Sequence, residues 1–428
     1  MADVQHPLTA PRPPAPLAVA GHPAALTLGS GIFDSLGIRD YRWLWISNLF
    51  SFAAMQMNFM TRGWLAFEIT HSPLALAVVT GSWGIPVVFL SLFGGALADR
   101  VRKRNLLVIT QVAGGLIVLW LAVMIATDRI QVWHLALGAA LNGVVMAFNM
   151  PGRQSFVNEL VPREKLMNAV ALNSMGMNLT RIGAPALAGV LVGIIGIANV
   201  YFLMVGLYIL AVAALLMMPA VALGVARRES ILRDVAEGLR YVRSQALLVM
   251  LLVLAFVPVL FGQSVQSLLP VFAKVELHLG PAGLGAMMSA LGAGALLGSL
   301  LVASFTSSAP KGVLMLAGGL AFGLSVVLFG NAPWLVLALA GLVLMGVTSQ
   351  VYMTLNTTIL QLQADPAYLG RVMSISMMTF GLMPLGALPM GAIAQGFGAP
   401  VAASIGGGLA AAFVVGLTIL TPSLRRVR

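Results

Sequence analysis

The chain has 428 residues, 59% hydrophobic and only 9% charged, with 24 Lys and Arg against 13 Asp and Glu and no cysteine. A soluble domain carries about 25% charged residues, so an ordinary water-soluble globular protein is excluded, as are disulfides, thiol redox chemistry and Cys-based metal sites. The net charge of +11 could suit nucleic acid, but the basic residues cluster in short segments between apolar runs, which points to anionic lipid headgroups instead.

Residues 1–35 are rich in Pro and Ala and lack a basic stretch before an apolar core, so they are expected to form a disordered cytoplasmic tail rather than a signal peptide. Residues 36–219 then hold six apolar spans, at 43–67, 74–98, 105–126, 132–150, 168–195 and 200–219. A linker over 220–245 follows, in which Ile231, Leu232, Val235, Leu239 and Val242 fall on one helical face. Arg227, Arg228, Arg233, Arg240 and Arg243 supply its basic side, which predicts an amphipathic helix on the cytoplasmic leaflet, a solvated linker helix being the alternative. Residues 246–421 hold six more spans, at 247–272, 282–304, 312–330, 334–359, 370–395 and 401–421, and a basic cytoplasmic tail closes the chain at 422–428. Each span is long enough to cross a hydrocarbon core of about 30 Å.

The two halves echo each other at a shift of 203 residues: span 1 falls on span 7, span 4 on span 10, and Gly183-Ala184 on Gly386-Ala387. With the N-terminus in the cytoplasm, all of the 24 basic residues except Arg62, Arg129, Arg181 and Lys274 lie in cytoplasmic segments. That asymmetry places both termini inside. The expected fold is an all-α membrane protein with 12 transmembrane helices in two pseudo-symmetric six-helix bundles.

Polar residues recur at helical spacing inside the spans. Span 1 carries Asn48, Ser51, Asn58 and Arg62; span 4 carries Asn142, Asn149 and Arg153. Span 5 carries Ser174, Asn178 and Arg181, span 7 carries Gln263, Gln266 and Ser267, and span 10 carries Ser349, Tyr352 and Asn356. Such stripes face water or each other rather than lipid. Arg181 lies about 20 Å along its helix, too deep to remain unsolvated, and could bind an anionic group or a helix carbonyl. Arg62, beside Trp64, faces the same cavity or snorkels to headgroups. Glu68 is the acid nearest a span on the outer half: a partly buried carboxylate there is the candidate for proton coupling, and a loop anchor otherwise.

Between spans 2 and 3 stands Gly95-Ala96-Leu97-Ala98-Asp99-Arg100-Val101-Arg102-Lys103-Arg104. It resembles the loop signature (G-x-x-x-D-R-x-G-R-R) of the major facilitator superfamily of secondary transporters, with Arg102 in place of the second Gly. Glu68-Ile69-Thr70-His71-Ser72-Pro73, Pro151-Gly152-Arg153-Gln154, the run from Glu159 to Ser174, and Gly370-Arg371-Val372-Met373-Ser374 are similar to the branch of bacterial macrolide-efflux proteins and enterobactin exporters. Arg181-Ile182-Gly183-Ala184-Pro185-Ala186-Leu187-Ala188-Gly189 resembles the antiporter signature of span 5, with Ala184 replacing a Gly. Its small residues allow close helix approach, and Pro185 frees a carbonyl and bends the helix, so Gly183, Pro185 and Gly189 are the candidate bending residues. The Arg that drug–proton antiporters often carry in span 4 is Ala139 here.

The resemblance implies the major facilitator fold, a central cavity lined by spans 1, 4, 7 and 10, and export by alternating access. The implied cavity residues are Asn58, Arg62, Asn142, Asn149, Asn178, Arg181, Gln263, Gln266, Tyr352 and Asn356. It also implies a cytoplasmic gate from Gly95, Asp99, Arg100, Lys103, Arg104, Arg153, Glu159 and Arg371, in which Asp99 bonds the start of span 11. The expected function is proton-coupled export of amphipathic small molecules of drug, macrolide or siderophore type across the bacterial cytoplasmic membrane. The alternative is an importer or uniporter of a small organic anion. Protons and membrane lipids are the expected partners, with no nucleic acid, metal or cofactor, and the protein is expected to be monomeric. His6 and His22 lie in the tail and His71, His134 and His278 near outer loops, so no catalytic cluster is expected within the spans. No G-x-x-x-x-G-K-[ST] phosphate loop occurs that would drive a primary pump.

Overall fold

A computed structural model of the chain describes residues 33–218, 231–305, 310–365, 368–382 and 384–420. Side chains at 92–96, 98–100, 231–236, 257–259, 263, 374, 377–381, 384 and 420 lie outside that description. Among the described residues every regular element is helical. The first half is α1 (Arg39–Thr70), α2 (Pro73–Gly81), α3 (Gly84–Arg100), α4 (Lys103–Ala126), α5 (Val132–Leu160), α6 (Arg163–Ile195) and α7 (Ile197–Leu216). The helix α8 (Ile231–Ser244) leads into the second half: α9 (Ala246–Phe261), a 3-10 turn, α10 (Leu269–Val271), a π turn Phe272–Glu276, α11 (Pro281–Ala303) and α12 (Lys311–Gly330). It finishes with α13 (Leu335–Gln363), α14 (Leu369–Gly381), α15 (Pro384–Phe397) and α16 (Ala399–Leu420).

These helices make twelve crossings, because α2 with α3, α9 with α10, and α14 with α15 are each one broken span. Nine spans among the described residues, with Pro73–Ser91 of α2 and α3 taken as one, are long and apolar enough to cross a membrane. The first span is less apolar because Asn48, Ser51, Asn58 and Arg62 interrupt it. The breaks have local causes. Ser82 and Trp83 sit between two glycines before Pro86, Gly262 follows α9, and Pro384 restarts the span that Gly381 ends. Caps fix other boundaries: α1 ends on His71 in the left-handed region (φ 50), and Ser72 accepts the Ala75 N–H to start α2 with Pro73 at its first turn.

Packing repeats between the halves. The neighbours α4·α5, α4·α7 and α1·α6 recur as α12·α13, α12·α16 and α9·α14. Call the side where α1 begins proximal and the other side distal. On the distal side one hydrophobic core runs through both halves, from Trp64, Phe67 and Leu76 to Phe272, Met287 and Met390. On the proximal side each half has its own core, one around Tyr41, Leu107 and Phe156 and one around Leu251, Tyr352 and Ile359. The halves therefore share one core distally and keep separate cores proximally, where α3 of the first half also meets α14 and α8. In lipid this joining rests on close van der Waals packing and interhelical hydrogen bonds, since apolar contact alone gains little against acyl chains.

The linker helix α8 corrects a simple surface-lying helix. Val242 is buried in the second-half core, and Tyr241 stacks on Tyr368 at 4.3 Å with rings 7° apart. Arg240 and Arg243 remain exposed, as does Leu239. Ile231, Leu232, Arg233 and Val235 have side chains outside the described set, and Arg227 and Arg228 lie outside the described residues.

Candidate functional site: a cavity between the halves

A cavity of about 880 Å³ lies between the two halves, walled by α1, α5, α6, α13 and the turn after α9. Apolar side chains such as Phe59, Trp83 and Met288 alternate with amides and three arginines, Arg62, Arg153 and Arg181. Thr357, Thr358, Gln361 and Ser376 line its proximal end. Mixed walls of this kind, apolar with a few fixed donors, suit an amphipathic organic molecule.

The distal end is shut by contacts between the halves. Glu68 at the end of α1 pairs with Lys274 at 2.6 Å, and Lys274 lies over the Trp64 ring at 5.8 Å. The Ser72 hydroxyl donates to Gln395 at 2.7 Å. Most extensive is the crossing of α6 and α11. A Cβ on Gly189 would stand 2.4 Å from the Pro281 carbonyl oxygen, and one on Gly285 2.5 Å from that of Pro185, so only glycine permits this approach. Pro185 lacks the N–H that would bond the Arg181 carbonyl four residues back. That stretch of α6 lies against α11: Gly292 packs on the Arg181 carbonyl, and the Ser289 hydroxyl donates to the Ile182 carbonyl.

Arg153 is the best-held charge in the cavity. Its Nε donates to Asn149 (3.1 Å), Nη1 to Asn48 (2.6 Å) and Nη2 to Ser51 (3.0 Å), and its guanidinium stacks on Phe52 at 4.5 Å. Asn149 in turn donates to Thr110 at 2.7 Å, and Asn48 to Asn173 at 2.9 Å. This chain of bonds ties α1, α4, α5 and α6 together at one level. Arg153 thus belongs to the cavity wall, which corrects its expected place in the proximal gate.

Arg62 is only 5% exposed, so it does not snorkel to the surface. Its Nη1 donates to Asn58 Oδ1 at 3.3 Å. Asn142, Asn149, Gln266 and Asn356 also line the cavity, and Arg181 joins them half-buried. Asn142 donates to the Gly138 carbonyl and Asn356 to that of Leu251, so both amides also serve their own helix packing.

Other expected residues lie elsewhere. Tyr352 is fully buried among α9, α12 and α13, where its hydroxyl donates to the Leu254 carbonyl, and it does not wall the cavity. Asn178 is half-buried off the wall, and the Gln263 side chain is outside the described set. Glu68 is half-buried, 47% exposed, with its carboxylate engaged in the ion pair with Lys274. Gly183 meets no neighbour within 4 Å, which leaves the close contact to Gly189 alone among the two expected glycines.

The proximal gate residues are also dispersed. Lys103 pairs with Glu159 inside the first half, and Arg104 caps α7 by donating to the Leu215 and Leu216 carbonyls at 3.0 Å each. Arg371 pairs with Glu237 of α8 at 3.2 Å and lies over Tyr368. Gly95, Asp99 and Arg100 fall outside the residues whose side chains are described. Sequence reasoning missed Gln56, Gln111, Gln350 and Trp83 on the wall. Each glutamine is a polar residue inside an apolar span, Gln111 beside Thr110 and Gln350 beside Ser349, a signal that was present; nothing marked Trp83.

Relatives and solved structures agree with this architecture. The enterobactin exporter EntS of Shigella dysenteriae is 27% identical over 305 residues, covering 71% of this chain and 73% of that protein. EntS of Citrobacter koseri is 26% identical over 304 residues, with the same shares. The nucleoside transporter NupG superposes with a TM-score of 0.69 at 15% identity, covering 91% of this chain and 100% of its own. A bacterial homologue of the human lysosomal transporter Spinster, inward-facing and unoccupied, gives 0.68 at 15% identity, covering 90% and 96%. At those identities the structures speak for the fold alone. The family described as transmembrane secretion effector matches residues 30–427, and the chain accordingly belongs to that family of the major facilitator superfamily, a multi-pass membrane transporter and not an enzyme.

Proposed function

We propose that this protein exports amphipathic small organic molecules across the bacterial inner membrane by alternating access, with its proximal face in the cytoplasm. The observation that carries the reading is one cavity between two halves that share a core distally and have separate cores proximally. A substrate enters from the cytoplasm in this state. Release outside requires the α6–α11 crossing and the Glu68–Lys274 pair to part while the proximal cores close, a shift between two populations of one structure. Cytoplasmic clustering of basic residues supports the orientation. Similarity to the enterobactin exporters supports the outward direction and a siderophore-sized cargo. The ion-paired Glu68 acts in this scheme as a latch between the halves rather than as a proton carrier.

The test is accumulation of amphipathic dyes in energised inside-out vesicles, with Arg153→Ala as the comparison. Protein-dependent accumulation that the substitution abolishes is expected. Protein-dependent depletion of dye from the lumen would make the protein an importer, and no movement of any dye would overturn the reading.

A further inference from the structure

We propose that Arg62 and Asn58 form an oxyanion subsite, so that the exported molecule is an organic anion and the membrane potential itself drives its export. The proposal rests on the exporter reading and specifies its substrate class and driving force.

Arg62 and Asn58 are each 5% exposed, and both face the cavity near its shut distal end. A guanidinium carries only donors. The Asn58 amide therefore turns its oxygen to Arg62, accepting at 3.3 Å. That orientation leaves Asn58 Nδ2 buried with no hydrogen-bond partner. Asn58 Nδ2 lies beneath the cavity surface, so the donors offered to the cavity are those of Arg62, and the pair has spent its one acceptor internally. A buried donor left without an acceptor is costly, and such groups are rare in native interiors. The complementary ligand is a group made only of acceptors, such as a carboxylate, sulfonate or phenolate.

Arg153 shows the contrast. Its three nitrogens are matched to Asn149, Asn48 and Ser51, and its plane rests on Phe52, so it is held by the wall itself. Ser51 and Arg62 are separated along α1 by about 16 Å, which makes the Arg62 subsite a distinct place in the cavity. Phe59, Trp83 and Met288 lie along the same lining and would face the apolar body of a bound molecule, favouring an organic anion over an inorganic one. A small side pocket that Gly63, Thr80 and Gln266 share with Arg62 continues from this point.

The driving force follows from charge. The described lining residues include three arginines and no Asp or Glu, so the wall offers no carboxylate to neutralise the cargo or return a proton. An anion leaving a cell whose interior is negative moves down the electrical gradient. A potential of 100 mV is worth about 50-fold in accumulation per unit of charge moved.

The experiment uses the full chain in liposomes clamped with a potassium gradient and valinomycin. The probes are fluorescein, an amphipathic carboxylate dye, and rhodamine 6G, a related cation. Lumen-positive potential should drive fluorescein in, tens-fold above the level at zero potential, and reversing the potential should reverse the flow. Fluorescein binding, read by quenching of tryptophan fluorescence, should weaken at least tenfold in Arg62→Gln and in Asn58→Leu. Arg62→Lys should stay within a few-fold of wild type, and matched melting temperatures would show that each variant folds. Fluorescein flux indifferent to the sign of the potential would overturn the driving force, and wild-type binding by a folded Arg62→Gln would overturn the subsite. Transport of rhodamine 6G without fluorescein would overturn the anion class while leaving the exporter reading intact. Movement of neither dye at any potential would count against both.

Discussion

Placing a side chain at the α6–α11 crossing should reverse which face of the protein is open. A Cβ at Gly189 would meet the Pro281 oxygen at 2.4 Å and one at Gly285 would meet the Pro185 oxygen at 2.5 Å, against 3.4–4 Å for ordinary contact. The helices must then retreat by about 1 Å, and overpacking of that size costs about 1–3 kcal/mol. The cost falls only on the state in which the crossing is made. The equilibrium should therefore move about 5- to 150-fold towards the distally open state in Gly189→Val or Gly285→Val. The chain has no cysteine, so spin labels on cysteines introduced at Asn199 and Phe397, exposed distal positions on opposite halves, report the opening without background. Distance distributions should gain a longer component in both valine variants. Gly183→Ala is the control, because nothing lies within 4 Å of its added carbon. Unchanged distances in folded valine variants, or an equal shift in the control, would refute the reasoning.

Three further outcomes follow from the contacts. Arg153→Ala removes the bonds to Asn149, Asn48 and Ser51, and thermal unfolding in detergent should show a loss of about 1.5–3 kcal/mol; Arg153→Lys should recover little, since an ammonium cannot reproduce the fork. Lys274→Glu sets two carboxylates together at the distal latch and should favour distal opening by up to about 1 kcal/mol, an effect that salt weakens and that the swap Glu68→Lys/Lys274→Glu reverses, read with the same label pair. Tyr241→Ala deletes the stack on Tyr368 and the hydroxyl that accepts the Asp365 N–H at 3.0 Å; amide hydrogen exchange over Glu237–Ser244 should quicken by roughly fivefold, corresponding to about 1 kcal/mol.

Much of the architecture was legible because lipid imposes a length on every crossing. The run 105–126 became α4 at Lys103–Ala126, and 282–304 became α11 at Pro281–Ala303. The breaks in spans 2, 7 and 11 were not legible. Hydropathy is indifferent to whether the regular helical bonding of an apolar run lapses at Ser82 or Gly262, because both pieces remain apolar. Among site residues, periodicity gives a face but not which face meets the cavity. Tyr352 shares a polar stripe with Ser349 and Asn356, yet the wall of α13 runs through Gln350 and Thr354, each about 200° away from it. The stripe therefore straddles the edge of the wall, and Tyr352 falls on the packed side. Arg153 sat near a helix end in sequence and read as a gate residue; its neighbours Asn48 and Ser51, more than 100 positions away, place it inside. Charge spacing cannot show such a partnership, which depends on how α1 and α5 meet.

The central claim is that one cavity opens to either face in turn, and a single cysteine at Met146 on its wall tests it most directly. Labelling by a membrane-impermeant thiol reagent would be measured from each side of the membrane, in the parent chain and with Gly189→Val. The account predicts reaction from the proximal side in the parent, with Gly189→Val lowering that rate and raising the rate from the distal side. Labelling from one face only, at the same rate with and without Gly189→Val in folded protein, would contradict it.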